Sequence, residues 1–377
     1  MTPDARGFAL WRLGFRPFYL LASVFAALSA PLWSLEYAGW LPASYFHGPA
    51  WHAQEMLFGF VFAVIAGFLF TAVRNWTQQP TPTGWLLAAY ALLWMAGRVA
   101  TAATHGPLAT ALDAAFPLAV AAAIGVALWR SGNRRNYFFV ALLALAAFAA
   151  VGPRLQVALD VVLFMVAVVG GRVIPMFTNN AIRGAGAARS PWVERVALAS
   201  VLALLALDLL DGIEPVVGRG PIVAVAAIGA IAHAARLALW RPWRTLRTPM
   251  VWVLHVSYAW IVIHLVLRAL AAMELVASPL ATHALTMGAI GGMIIGMITR
   301  TARGHTGRTI AADRGETACF ALVQLSALVR VGGGLFAPSL YVASVVASAF
   351  LWSAAFAIYA VSYWPVLTRP RVDGRPD

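Results

Sequence analysis

The stretch from His283 to Arg308, HALTMGAIGGMIIGMITRTARGHTGR, decides how the whole chain is read. It opens on a histidine, continues as a largely apolar helix long enough to cross a bilayer, and closes on Arg300 and a polar turn carrying His305. At 3.6 residues per turn, Gly288, Gly292 and Gly296 fall four apart and share one face. Such a doubled GxxxG groove lets a neighbouring backbone come close in lipid, where small residues permit tight helix contact. His283 lies roughly 140–220° around the helix from those glycines. The glycines have a packing role; the imidazole finds no partner in lipid and is a candidate ligand.

Composition agrees with a membrane setting. Apolar residues make up 62% of 377, mean hydropathy is +0.79, and 11% of residues are charged, against about 45–50% apolar and about 25% charged in soluble domains. All 27 basic residues are arginine. The net charge of +13 would suit nucleic acid, but the arginines sit in short loops between apolar runs, which is a topology signal and excludes a nucleic-acid surface. The one cysteine, Cys319, allows no intrachain disulfide and lies in an apolar run.

Apolar windows recur near 18–34, 51–73, 84–103, 108–129, 137–152, 155–177, 192–210, 217–240, 250–270, 280–300, 317–333 and 338–362. They predict an all-α integral membrane protein of about twelve transmembrane helices, 1–377 forming a single polytopic domain. The first apolar run continues past the small residues at Ala27–Ala30 and is read as a span, not a signal peptide. With loops assigned alternately, eighteen arginines fall on one side and only Arg154 and Arg219 on the other. By the positive-inside rule both termini are expected to be cytoplasmic.

That layout assigns depth to the polar residues. His52 and Glu55 lie in the outer turns of the second helix, and His283 enters from the same side; His255 and His305 lie toward the cytoplasm. Imidazole suits copper, iron and zinc and is a common axial ligand of heme iron. His52, His255, His283 and His305 are the metal or heme candidates; some of them could equally cap helices or bond backbone carbonyls. Glu55, about a turn from His52, would orient an imidazole or serve as an oxygen ligand. His47, His105 and His233 read as loop or helix-end residues, and His264 lies about 180° from His255 on one straight helix. Arg98 and Asp113 stand seven and six residues from the turn at 104–107, so an antiparallel pair would bring them to one depth. Either they form a buried ion pair alone, or Arg98 also faces a bound anionic group such as a heme propionate. Asp160 with Arg268 raises the same choice, as do Arg172 and Arg300. No CxxC, HExxH or phosphate-loop pattern occurs, and no paired, interrupted helices are visible.

Five stretches resemble the NnrS family of bacterial heme- and copper-containing membrane proteins: LGFRPFYLLASVFAAL (13–28), WHAQEMLFGFVFAVIAGFLFTAVRNWT (51–77), GGRVIPMFTNNA (170–181), WVLHVSYAW (252–260) and the 283–308 stretch. The resemblance spans the first to the tenth helix. It implies a multi-pass protein of the bacterial inner membrane, b-type heme and copper as cofactors, nitric oxide as the small gaseous ligand, and a role in relief of nitrosative stress. One departure stands out. The family usually shows His-x-His-Glu at the start of the second helix, whereas this chain has His52, Ala53, Gln54 and Glu55. Gln54 is a poor ligand for copper or heme, so copper loading is expected to be low or absent.

On this reading the protein binds or processes nitric oxide at a heme held between helices, with Arg98, Arg268 and Arg300 as candidate propionate partners. A membrane transporter, or a carrier delivering metal or heme through the same histidines, is the alternative. A heme-copper reductase proper is disfavoured by the lack of a closely spaced histidine pair on one helix.

Overall fold

The computed structural model describes residues 7–42, 48–103, 106–152, 154–211 and 218–375. Among them there is no strand, and every apolar window forms a helix. These are α1 (Phe15–Tyr37), α2 (Gly48–Thr77), α3 (Gly84–Ala103), α4 (Pro107–Arg130), α5 (Phe138–Ala150) and α6 (Leu155–Ala181). The series continues with α7 (Pro191–Asp211), α8 (Arg219–Leu239), α9 (Pro249–Ala272), α10 (Ser278–His305), α11 (Arg314–Phe336) and α12 (Tyr341–Thr368). Helices must satisfy their own backbone in lipid, so an apolar chain of this kind has little other choice.

Ten of these helices are long and apolar enough to cross a membrane. The other two are α5 and α7, for different reasons. α5 has 13 residues, about 20 Å at 1.5 Å per residue, short of a hydrocarbon core of about 30 Å. α7 has 21 residues but carries Glu194, Arg195, Asp208 and Asp211. Two of those charges are matched internally: Arg236 on α8 binds Glu194, and Arg268 on α9 binds Asp208.

The contacts divide into two compact units, each assembled from separate parts of the chain. Unit 1 comprises 1–158, 298–310 and 356–377; unit 2 comprises 159–297 and 311–355.

In unit 1, the segment around 368–372 is bonded both to the start of the described chain and to the end of α10. Ala9 N–H donates to Thr368 O at 2.7 Å, and Val372 N–H to Thr306 O at 3.0 Å. Arg16, fully buried, donates to Leu367 O at 3.0 Å and Arg369 O at 2.8 Å, capping the last carbonyls of α12. A cation belongs at a helix C-terminus, where the orphan carbonyls gather negative charge. Arg16, counted from sequence as a loop charge, is therefore a buried helix cap. The described termini leave from the same end of unit 1, the arginine-rich end.

In unit 2, the glycine face of α10 receives α9. A Cβ on Gly288 would strike the Trp260 indole, one on Gly292 would strike Ser257 and Gln324, and one on Gly296 would lie 2.9 Å from Val253 Cγ1. Gln324 of α11 locks this seam, accepting from Trp260 Nε1 at 2.9 Å and donating to Ser257 Oγ at 3.1 Å.

Two helices depart from ideal geometry. In α2 residues Glu55–Val61, and in α10 residues Ala284–Gly291, form π-helical turns. The Phe62 N–H reaches five residues back to Leu57 O, and Gly292 N–H is bonded to Ala289 O. Angles drawn on a straight α-helix therefore fail across both segments, including those relating Glu55 to the rest of α2 and His283 to its glycines. A π turn inserts a residue without changing composition, so the sequence does not show it.

Candidate functional site

At the end of unit 1 opposite the termini, α2, α3 and α4 bring three charged side chains together. Arg98 Nη1 lies 2.9 Å from Glu55 Oε1, and Arg98 Nη2 donates to Asp113 Oδ1. Gln54 Nε2 donates to Asp113 Oδ2 at 2.7 Å. Glu55 is 1% exposed and opens the π segment. Gly59 makes room for this arrangement, since a Cβ there would lie 2.8 Å from Arg98 Nη1 and 2.7 Å from the Phe25 ring. The Gly59 carbonyl, inside the π segment, accepts from Trp94 Nε1 at 2.8 Å. The Arg98–Asp113 pair expected across the turn is present, with Glu55 as a third member that spacing did not reveal.

His52 stacks on Trp33, with centroids 3.9 Å apart and planes 15° from parallel. Trp33 in turn donates through Nε1 to Gly48 O at 3.1 Å, tying the end of α1 to the start of α2. His305 closes α10 at the other end of unit 1, its ring 5.6 Å from that of Phe15 and its carbonyl accepting from Arg371. The helix runs through His305, which sequence placed in the following turn. Arg300 is half-buried on the same helix.

Unit 2 holds a second arginine between two carboxylates. Arg268 Nη1 donates to Asp160 Oδ1 at 2.8 Å, and Nη2 to Asp208. These come from α9, α6 and α7, all near one end of their helices. Each triad sets two acids on one guanidinium, so the positive charge of Arg98 and of Arg268 is matched within its own unit.

The histidines of unit 2 differ in how their nitrogens are used. His233 is saturated: Nδ1 lies 2.7 Å from Tyr258 OH and Nε2 3.1 Å from Ala197 O. The second contact needs an N–H at Nε2, so Nδ1 accepts the tyrosine proton. Arg236 completes this network through Glu194, Ala167 O and Tyr258 OH. His255 Nδ1 faces Val251 O at 3.0 Å, and its Nε2 lies 3.4 Å from Thr178 Oγ1. His283 Nδ1 bonds Pro279 O at 2.7 Å, four residues back. His264 Nδ1 bonds Ala281 O at 2.8 Å, while its Nε2 is buried with no hydrogen-bond partner among the described residues. A carbonyl at Nδ1 fixes the proton there and leaves the lone pair on Nε2, the form in which imidazole binds a metal. His264 was passed over in sequence, because the carbonyl that sets its tautomer comes from another helix, 17 positions on.

Within neither unit do two of the predicted histidines come together. His52 and His305 occupy opposite ends of unit 1, His255 and His283 opposite ends of unit 2. Among the described residues no group of three His, Cys, Asp or Glu side chains is arranged to hold a metal ion. His47 and His105 lie outside the described residues.

Long apolar helices with charge clusters and histidines buried among them define a multi-pass membrane protein. Its sequence carries the profile of the NnrS protein over residues 9–371, and the chain belongs to that family. The family is associated with heme and copper and with the nitric oxide response. No protein of curated function matches the chain.

Proposed function

We propose that this protein is a heme protein of the bacterial inner membrane that binds or processes nitric oxide in nitrosative-stress tolerance. The observation that carries the reading, beyond family membership, is the tautomer of His283. Its Nδ1 bonds Pro279 O at 2.7 Å, which fixes the tautomer with the proton on Nδ1, the form in which imidazole ligates iron through Nε2. His255, His52 and His305 are the further candidates for heme or metal. His255 is the weaker of the two in unit 2, because both its nitrogens face protein oxygens. When bound, ferrous heme supplies an open position for a diatomic gas. The chain's own residues orient the imidazoles, exclude water from the helix interior and balance buried charge.

Copper is a poor fit at the start of α2. Gln54 replaces the family's second histidine and is committed to Asp113, and Glu55 is engaged by Arg98. His52 itself stacks on Trp33. Arg98 and Arg268, each flanked by two acids, have no surplus positive charge for a propionate.

Twelve spans with both termini cytoplasmic remain our reading of topology. Losing a single span would put every later loop on the wrong side and destroy the arginine asymmetry.

The test is single alanine replacement of His52, His255, His283 and His305, with heme and copper quantified in each purified protein. His283→Ala should lose most of the heme, and copper should be substoichiometric throughout. Normal heme in all four variants would remove the assignment. The π segments in α2 and α10 favour a second reading, a carrier whose irregular helices line a path. Purified protein without stable heme would select it.

A further inference from the structure

We propose that Arg330 of α11 and Tyr341 of α12 form a carboxylate-binding site inside unit 2, filled by a propionate of the heme. The propionate as source rests on the proposed function; the site itself rests on the contacts around Arg330. Four arginines are buried among the described residues, and three have their charge answered. Arg16 caps the carbonyls of α12, Arg236 is paired with Glu194, and Arg268 with Asp160 and Asp208. Arg330 is 4% exposed and has no acid paired with it among the described residues. Its Nη2 donates to Tyr341 OH at 2.9 Å, and its guanidinium carbon stands 4.8 Å from the centroid of the same ring. Its Nη1 is buried with no hydrogen-bond partner among the described residues. An unanswered guanidinium inside an apolar span is costly, and such groups mark binding sites. One carboxylate balances the charge and matches the planar fork of donors. Tyr341 OH accepts from Nη2, so its own proton is available to the same anion as Nη1–H.

Two glycines of α11 set the place. A Cβ on Gly333 would strike Ser344, and one on Gly334 would strike Leu280 and lie 3.6 Å from Tyr341 Cε2. The starts of α10 and α12 thus both close on the last turns of α11, and α10 runs antiparallel to it. From the Leu280–Gly334 contact, His283 lies about 4.5 Å along α10 and Arg330 about 6 Å back along α11, at 1.5 Å per residue. The imidazole proposed for the iron and the unanswered guanidinium therefore stand at one level of unit 2. Heme asks for both, an imidazole at its iron and a cation at its carboxylates.

Absorbance titration of the full-length protein in detergent, stripped of any porphyrin, compares heme with heme dimethyl ester, whose propionates are blocked. Wild type should bind heme about tenfold or more tighter than the ester, the scale of one charge-assisted hydrogen bond. Arg330→Gln should lose that preference and bind the ester as wild type does. If Arg330→Gln does not fold, Tyr341→Phe, which keeps the ring and removes the hydroxyl, should lower the preference. A preference unchanged in the variant, or missing from wild type, overturns the propionate as occupant. Wild-type protein that binds neither porphyrin overturns the heme reading itself. The carboxylate site is then decided by acetate, which should raise the melting temperature of wild type over chloride at equal ionic strength, and not that of Arg330→Gln or Tyr341→Phe. No rise in wild type, or an equal rise in the variants, overturns the site.

Discussion

Replacing Arg98 by leucine should be among the most damaging single changes in unit 1. Its guanidinium stands between Glu55, at 2.9 Å, and Asp113, which are 1% and 2% exposed. At an effective dielectric of about 20, one charge pair at about 4 Å is worth about 4 kcal/mol before desolvation. Deleting one partner of a buried pair costs about 3–5 kcal/mol, because the other charge is stranded. Arg98→Leu strands two acids, so the loss should reach the upper part of that range, about 5 kcal/mol. The triple variant Arg98→Leu, Glu55→Gln, Asp113→Asn removes the charges together and should recover most of it, since neutral replacement of a whole buried cluster is often close to neutral. Intrinsic fluorescence during heating in detergent reads both, given 15 tryptophans. At about 2 °C per kcal/mol for a large domain, the single variant should melt roughly 10 °C early. A single variant within about 2 °C of wild type, on that scale, or a triple variant no better than the single, would refute the reasoning.

Other outcomes follow from named contacts. Gly171→Ala puts a Cβ into the Arg236 guanidinium, whose N–H groups are held by Glu194, Ala167 O and Tyr258, and should cost at least about 1–3 kcal/mol by overpacking. Gly125→Ala, whose Cβ would meet Val140 at 3.6 Å, should instead be neutral or stabilise by up to about 1 kcal/mol; thermal unfolding compares the two. Trp94→Phe leaves the Gly59 carbonyl without its 2.8 Å donor and should cost about 1–3 kcal/mol by the same measurement. Reporter fusions after Arg135 and Arg244 should read cytoplasmic and after Val276 periplasmic. A fusion after Gly186 decides the span count: cytoplasmic if α5 and α7 cross, periplasmic if neither does.

The helices were legible because lipid leaves an apolar chain no alternative to them, and turn residues marked their ends. The Arg98–Asp113 pair was legible because both stand at matching distances from one turn. Glu55 was not, since it reaches Arg98 from the irregular first third of α2, and a π turn leaves no mark in composition. The histidines could be ranked only by residue type. What separates His233, saturated, from His283 and His264, each with Nδ1 on a carbonyl, is which backbone oxygen lies opposite. That is fixed by helix packing. Arg16 shows the same limit: its charge suggested a solvated loop, but its carbonyl partners lie some 350 residues away.

That distance sets an order of events during synthesis. Unit 1 is built from the first 158 residues, a short piece at 298–310 and the final stretch from 356. Its earliest helices enter the membrane before the segments that complete them exist. Arg16 cannot reach the carbonyls at 367 and 369, nor Ala9 the one at 368, until those late segments have been made. Unit 2 lies almost wholly between those pieces and can assemble first. A stalled or C-terminally clipped product would therefore show its damage at the opposite end of the sequence, in α1, which makes the loosened amino-terminal helix a ready mark by which a membrane protease could sort unfinished chains from finished ones.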